Sequence, residues 1–284
     1  MKNSNLKILV CYYKDVYFDS HNETYFDLQC GRKSTGVILN MQGDDEGENI
    51  SERNSYWSEI TGLYWAWKNL SYADYVGLCS YRRFFSFKEP KNGPVRTISK
   101  KQFDVIKGVD VGKALKILES HDVITPEPYT YAYSIRRVCS MNYRDSDFDL
   151  LEKIVHELSP EYSKAFHKVF YERNKMIGHN MFVMAWPRFQ EFCEWVFSIL
   201  FEVEKKIDPS AYPINQVRVF GYMHEILLGV FIEHHKLKEY HSELIWMTDE
   251  SQNFKFNSRI YRYAANAIYF SSRLLLRNTY RHKI

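Results

Sequence analysis

The sequence predicts an α/β fold, a central sheet flanked by helices with a helical annex at its C-terminal end, and three stretches carry that prediction. LKILVCYY (Leu6 to Tyr13) and YVGLC (Tyr75 to Cys79) are apolar runs of strand length, and IGHNMFVMAW (Ile177 to Trp186) returns to the same pattern. The second contains almost nothing polar, as expected of a strand covered on both faces. Helix-periodic segments lie between and after these runs.

The chain has 284 residues, 45% hydrophobic and 17% aromatic, enough for one large domain or one domain with an annex. No uninterrupted apolar run is long enough to cross a bilayer, and MKNSNLKILVCYYK reads as a strand rather than a signal peptide, so a cytoplasmic location is expected. Five cysteines (Cys11, Cys30, Cys79, Cys139 and Cys193) are an odd number without CxxC spacing. Free buried thiols are expected, not disulfides or a zinc site. Residues 251–284 hold seven basic side chains and no acidic one; removing them from the chain's +3 leaves −4 for residues 1–250. The expected division is a body at 1–250 and a basic helical segment at 251–284.

In chain order, the strand from Leu6 ends at Lys14 and Asp15, on the edge where open α/β sheets bind ligands. Asp19 to Asn40 reads as a loop; its CGRKSTG does not match a phosphate-loop or dinucleotide pattern. GDDEGENISERNS packs Asp44, Asp45, Glu46, Glu48, Asn49 and Ser51 together. Such oxygen density either is solvated or holds a divalent cation, although it lacks calcium-loop spacing. YWSEITGLYWAWKNL then predicts a helix capped by Asn54 or Ser55, with Glu59 in its first turn and Ile60, Leu63, Tyr64 and Trp67 on one face.

The strand from Tyr75 runs into Tyr81, Arg82 and Arg83. Strand alternation sends the two arginines to opposite sides, so one would face a given pocket. A guanidinium there is a planar fork suited to phosphate oxygens; the alternative is a surface salt bridge. KEPKNGPVRTISKK reads as a surface loop, Phe103 to Leu118 as a helix, and Asp122 to Ile124 as a short strand. Helices are predicted at Phe148 to Leu158, Tyr162 to Tyr171, Phe189 to Val203 and from about Val217. His179 and Asn180 head the strand ending at Trp186, and a buried amide such as Asn180 needs a partner. Arg218 and Glu225, seven apart, share one side of a continuous helix as a buried ion pair or as the floor of a sugar pocket.

At about 100° per residue, Arg259, Arg262, Arg273 and Arg277 cluster within roughly 60°, apart from Ile260, Ala264, Ala267, Ile268, Leu274 and Leu275. A basic amphipathic helix of this kind suits an anionic membrane surface; the alternative is packing on the acidic body.

KILVCYYK, DDEGENISERNSYWSEITGLYWAWKNL, YVGLCSYRRFFSF, HNMFVMAWPRFQEFCEWVFSILFEVEKKID and RVFGYMHEILL, in that order over about residues 6–240, resemble a bacterial family from capsule and exopolysaccharide gene clusters. Its domain, long without an assigned function, is similar to GT-A glycosyltransferases, with galactofuranosyltransferases among the suspected members. The resemblance implies a GT-A-like, Rossmann-like mixed sheet and a nucleotide-diphosphate-sugar donor, UDP-linked first. It also implies transfer to a glycan or lipid-linked acceptor in capsular, exopolysaccharide or O-antigen synthesis, at the inner face of the membrane. Most GT-A enzymes carry an Asp-x-Asp metal element after the strand equivalent to Tyr75–Cys79. Here Ser80, Tyr81, Arg82 and Arg83 stand in its place. The expectation is therefore no required cofactor, with Mn or Mg held by Asp44 and Asp45 as the alternative.

The roles that follow assign Glu225 as first choice of base for the acceptor hydroxyl, then Asp45 of the 44–45 pair, then His179. Arg82 and Arg83 with Arg218 would serve the diphosphate, joined on the donor by Tyr81, Asp44, Asn49 and Ser51. Asn180 would bind a hydroxyl. A second reading is a sugar-binding or scaffolding subunit without turnover. Nucleic acid is not an expected partner, since the basic charge is confined to residues 251–284 and no recognised binding motif occurs.

Overall fold

The computed structural model describes residues 5–14, 23–71, 73–91, 93–102, 104–248 and 258–275. Asp15, Phe103, Lys255, Arg277, Arg281 and Lys283 lie outside the described residues. The strands are β1 (Leu6–Tyr12), β2 (Tyr25–Gln29), β3 (Gln42–Gly43), β4 (Tyr75–Ser80), β5 (Arg83–Phe85), β6 (Val95–Ile98), β7 (Val123–Pro126), β8 (Tyr129–Thr130), β9 (Lys175–Met176), β10 (Phe182–Ala185), β11 (Glu239–Ser242) and β12 (Leu244–Met247). The helices are α1 (Asn54–Trp57), α2 (Ile60–Asn69), α3 (Asp104–Lys107), α4 (Gly112–Leu118), α5 (Ile135–Asn142), α6 (Asp145–Leu158), α7 (Ser163–Glu172), α8 (Trp186–Glu204), α9 (Val219–His235) and α10 (Arg259–Leu275).

The main sheet runs β11-β7-β10-β4-β1-β2-β3, and β12 joins β5 to β6 beside it. β1, β2, β3 and β4 are mutually parallel, whereas β10 is antiparallel to both β4 and β7. The sheet is therefore mixed. β10 begins where its parallel neighbours end, which brings its entrance residues to their C-terminal rim. Alternation along β1 divides the interior in two: Leu9 and Cys11 join a core with α2, α6, α7, α8 and α9, while Ile8, Val10 and Tyr12 face α3, α4 and β12.

Several elements depart from the sequence reading. β2 lies within the span read as loop, because buried Asp27 interrupts its apolar pattern. β6 emerges from the Pro-Gly-Lys stretch, and its pairing with β12 supplies the register that composition does not. The single aromatic helix breaks at Ser58, whose φ is 55°; Asn54 does not cap it but donates to the Ser58 carbonyl at 2.7 Å. The span from Phe103 divides into α3 and α4. All five cysteines are free and buried. No helix among the described residues is long and apolar enough to cross a membrane.

α10 docks on the body through Arg262, which pairs with Glu127, and through Tyr269, which donates to the Glu172 carbonyl at 2.6 Å. Packing on acidic and carbonyl groups thus accounts for part of its basic side.

Candidate functional site

Tyr13, the hairpin after β4, the entrance to β10 and one side of α9 meet at the C-terminal rim of the parallel strands. The hairpin is what alternation could not anticipate. β4 ends at Ser80, the chain turns through Tyr81 and Arg82, and Arg83 pairs back against Ser80. The two arginines are consequently neighbours around a turn, not opposites along a strand.

The rim is cationic. Arg82 donates to the Tyr13 hydroxyl at 3.5 Å and lies over the Tyr81 ring at 5.1 Å. Arg218, at the N-terminal end of α9, covers the other ring, 5.3 Å from the Tyr13 centroid. Arg83 stacks on Trp246 at 4.3 Å. The Nε atoms of Arg82 and Arg83 are both buried without a hydrogen-bond partner. Burial works to raise the Tyr13 phenol, but the Tyr81 hydroxyl and the Arg82 and Arg218 charges overrule it and hold it below its ordinary value. Burial pushes Tyr81 up to about 12, with Tyr13 adding to the shift. Burial also lowers the Arg83 guanidinium, and Glu59 opposes that shift.

Beside the cations stands an acid–base group. Glu225 is partly open to the surface and its Oε1 accepts the His179 backbone N–H at 2.7 Å. Burial raises its carboxyl to about 8; Glu59 adds to the shift, and the His179 N–H and Arg83 oppose it. His179 is held through Nε2 to the Tyr129 hydroxyl at 2.8 Å and packs edge-on against Trp246. Burial, with Arg83 assisting, keeps its imidazole neutral. His179 and Asn180 are consecutive left-handed residues, with φ of 70° and 55°. A left-handed conformation is uncommon outside glycine, and this pair is tied down on both sides of the turn. His179 offers its amide to α9, while Asn180 donates to Glu59 Oε1 at 3.0 Å and meets His224 Nδ1 through Oδ1 at 2.7 Å.

Asn180 therefore finds the partners its burial demands within the protein, and it orients Glu59 rather than facing outward. His224 is buried beside Phe192 and its pKa falls to about 3, so it stays neutral. Arg218 stands just before α9 as its N-cap residue, not within the helix that carries Glu225, and each contacts a rim residue, Tyr13 and His179 respectively. Glu59, Tyr13, Tyr129, His224 and Trp246 also belong to the site. The sequence offers a hint for Tyr13, at the end of the first strand, for Glu59, in the first turn of a predicted helix, and for His224, a polar exception along an apolar helix.

The acidic loop has a different occupation. Asp44 is fully buried, and its two oxygens accept from the Gly31 and Arg32 amides and the Ser51 and Thr61 hydroxyls, at 2.5 to 3.2 Å. Two bonds on each oxygen leave no room for a donor, so the geometry makes Asp44 a structural tie. Asp45 faces Arg32 at 3.9 Å, Asn49 bonds the Asp45 and Gly47 carbonyls, and Ser51 is committed to Asp44. A Cβ on Gly43 would sit 2.2 Å from the Arg32 side chain and 2.3 Å from Asp45 Oδ1, so a larger residue would displace both. Tyr64 and Trp65 of α2 reach back to Glu48 and the Glu46 carbonyl, which fastens the loop to the helix.

A divalent cation does not fit this rim well. Guanidinium groups occupy the position after β4. Among the described residues no three His, Cys, Asp or Glu side chains gather as ligands.

A family model described as "Domain of unknown function (DUF4422)" matches residues 7–236. No curated protein matches. The chain superposes on an apo structure of WbbM, described as a bifunctional glycosyltransferase, with a TM-score of 0.78 and 28% identity. The match covers 88% of this chain and 46% of that one, so the chain spans under half of that protein's length. The mixed sheet and its flanking helices are thus those of a glycosyltransferase fold.

Two stability experiments follow from the site. Asp44→Ala is expected to cost roughly 2–4 kcal/mol in urea unfolding, because it removes the shared acceptor of four donors, with ligand affinity unchanged at temperatures where the variant is folded. Lost affinity at unchanged stability would return Asp44 to ligand binding. For Glu225, the folded pKa of about 8 exceeds the unfolded value near ~4.3, so the folded state holds the extra proton between them. Stability is fully present below the unfolded value and is lost as pH rises through 8. Glu225→Gln cannot ionise; its Tm advantage over the wild type should widen from pH 5 to 8 and then level off. A gap independent of pH would show that Glu225 is not desolvated.

Proposed function

From the premise that the chain belongs to the DUF4422 family, we propose that it transfers a hexosyl group from a nucleotide-diphosphate sugar to a hydroxyl of a glycan or lipid-linked acceptor in polysaccharide synthesis. One observation carries the reading: Arg82 and Arg83 turn at the C-terminal end of β4, the rim where open α/β sheets receive ligands, without an ion-pair partner among the described residues and with Nε groups that have no hydrogen-bond partner. A pyrophosphate supplies the acceptor oxygens they lack, and Arg218 adds a third cation beside Tyr13. The family resemblance favours a UDP donor, with galactofuranose among the sugars to test.

In the transfer, the bond between the anomeric carbon and the diphosphate oxygen breaks and its electron pair leaves with the nucleoside diphosphate. Arg82, Arg83 and Arg218 neutralise that charge where it develops. The acceptor oxygen bonds to the anomeric carbon, and its proton passes to the Glu225 carboxylate. The anomeric centre passes through an oxocarbenium-like state, which the Glu225 and Glu59 carboxylates favour electrostatically. Arginine side chains fill the role a metal holds in most relatives of this fold, so no cofactor is required.

Purified protein should gain thermal stability with one class of nucleotide-diphosphate sugar, equally with and without EDTA. Glu225→Gln should keep that shift while kcat falls about 10²–10⁴-fold, and Arg83→Ala should lower kcat/KM roughly 10²–10³-fold. The kcat/KM of the wild type should rise with pH toward a limb near 8, the direction set by ionisation of Glu225. Saturable donor binding without turnover across acceptors would replace the enzyme with a sugar-binding subunit. Loss of both binding and turnover in EDTA would replace the arginine reading with a metal one.

A further inference from the structure

α10 is docked with its polar side inward. Arg262 donates to Thr130 Oγ1 at 3.3 Å and pairs with Glu127, Asn266 accepts from Asn174 at 2.9 Å, and Arg273 reaches the Glu172 carbonyl at 3.2 Å. Facing outward, Ile260 is 83% exposed, Leu274 72%, Tyr263 66%, Phe270 59% and Ile268 49%. With Ala264 and Ala267 these side chains fill one arc of about 160°, interrupted only by Ser271. Five of the eleven exposed large hydrophobic residues among those described stand on this one helix. Scattered exposed apolar residues are ordinary; a continuous arc is a contact surface.

The edge of the arc opens into a cleft of about 360 Å³ lined by Lys91, Arg259, Arg262 and Tyr263. Tyr263 belongs to both the arc and the cleft. Lys91 and Arg259 have no ion-pair partner among the described residues. The surrounding sequence, 251–284, carries seven positive charges and no negative one. A second copy of the chain would bring like charges together, whereas an anionic surface neutralises them.

We propose that α10 lies in the interface of a bilayer containing anionic phospholipid, with the apolar arc among the acyl chains and the Lys91–Arg259 cleft on a lipid phosphate. Helices of this build bind by buried apolar area together with attraction to anionic headgroups. The docked orientation places the seat of α10, Thr130, on the same two-residue strand as Tyr129, which holds His179. The surface binding is independent of turnover and can be measured without it.

The full chain should co-sediment with phosphatidylcholine vesicles containing phosphatidylglycerol, but not with pure phosphatidylcholine, and the binding should weaken at high salt. Ile260→Asp combined with Leu274→Asp alters only exposed side chains and should abolish the binding while the thermal unfolding midpoint holds. Lys91→Glu or Arg259→Glu should reduce vesicle affinity by about fivefold or more, in line with the ~1 kcal/mol contributed per basic residue near such a surface. Equal binding to neutral vesicles overturns the proposal. So does absence of vesicle binding together with a concentration-dependent dimer that the Ile260→Asp, Leu274→Asp variant dissociates.

Discussion

The constraint on which the site depends is the two-residue turn between β4 and β5. A parallel strand that simply ended at the rim would release Arg82 and Arg83 into a loop, where long cationic side chains spend entropy and are screened by water. Pairing Arg83 back against Ser80 fixes one guanidinium against Trp246 of β12 and leaves the other across Tyr81. The aromatic faces hold the cations without neutralising them, as carboxylates would. Positive potential is thereby stored at the rim, and the lowered Tyr13 phenol registers it.

A second constraint meets it from the opposite strand. Because β10 is antiparallel to its neighbours, its entrance turn reaches the rim, and the left-handed pair His179–Asn180 sends successive residues to different helices. The His179 amide fixes Glu225, and the Asn180 side chain fixes Glu59, the first residue after the break at Ser58. The broken helix and the strained turn are thus parts of one arrangement: each departs from regular geometry so that a carboxylate can be oriented. Strain of this type clusters where surrounding packing over-determines it.

Much of the architecture was legible because apolar periodicity dictates it. Leu6–Tyr12 and Tyr75–Ser80 alternate between two cores, and α8 presents Phe189, Phe192, Val196 and Leu200 to one of them. Asp27 hid β2, since a buried carboxylate in a strand looks like loop chemistry until its partners are known. Residue type and position put Arg82 and Arg83 forward as candidates at the end of a strand, yet their relative direction depended on a turn that alternation cannot encode. Asp44 misled for the opposite reason: dense acid suggests an external cation, but its partners are amides and hydroxyls from segments on either side, brought together only by folding. Glu59 looked like an ordinary first-turn acid because its importance lies in Asn180, 121 residues away in sequence.

The raised Glu225 carboxyl bears directly on how such a site would accelerate transfer. In the free protein it is desolvated and close to Glu59, so ionisation near neutral pH is resisted, with the proton leaving around pH 8. A bound diphosphate adds negative charge and occupies the arginines, which resists ionisation further. As the anomeric bond breaks, positive charge grows on the sugar between these groups, and the ionised carboxylate then gains more than it did in the ground state. An interaction that strengthens only along the reaction coordinate lowers the barrier instead of merely tightening binding. A carboxylate already satisfied by an ion pair, as Glu127 is by Arg262, has little left to gain from that developing charge. Among the described residues Glu225 has no ion-pair partner, and in the proposed reaction that leaves it free to act as the base.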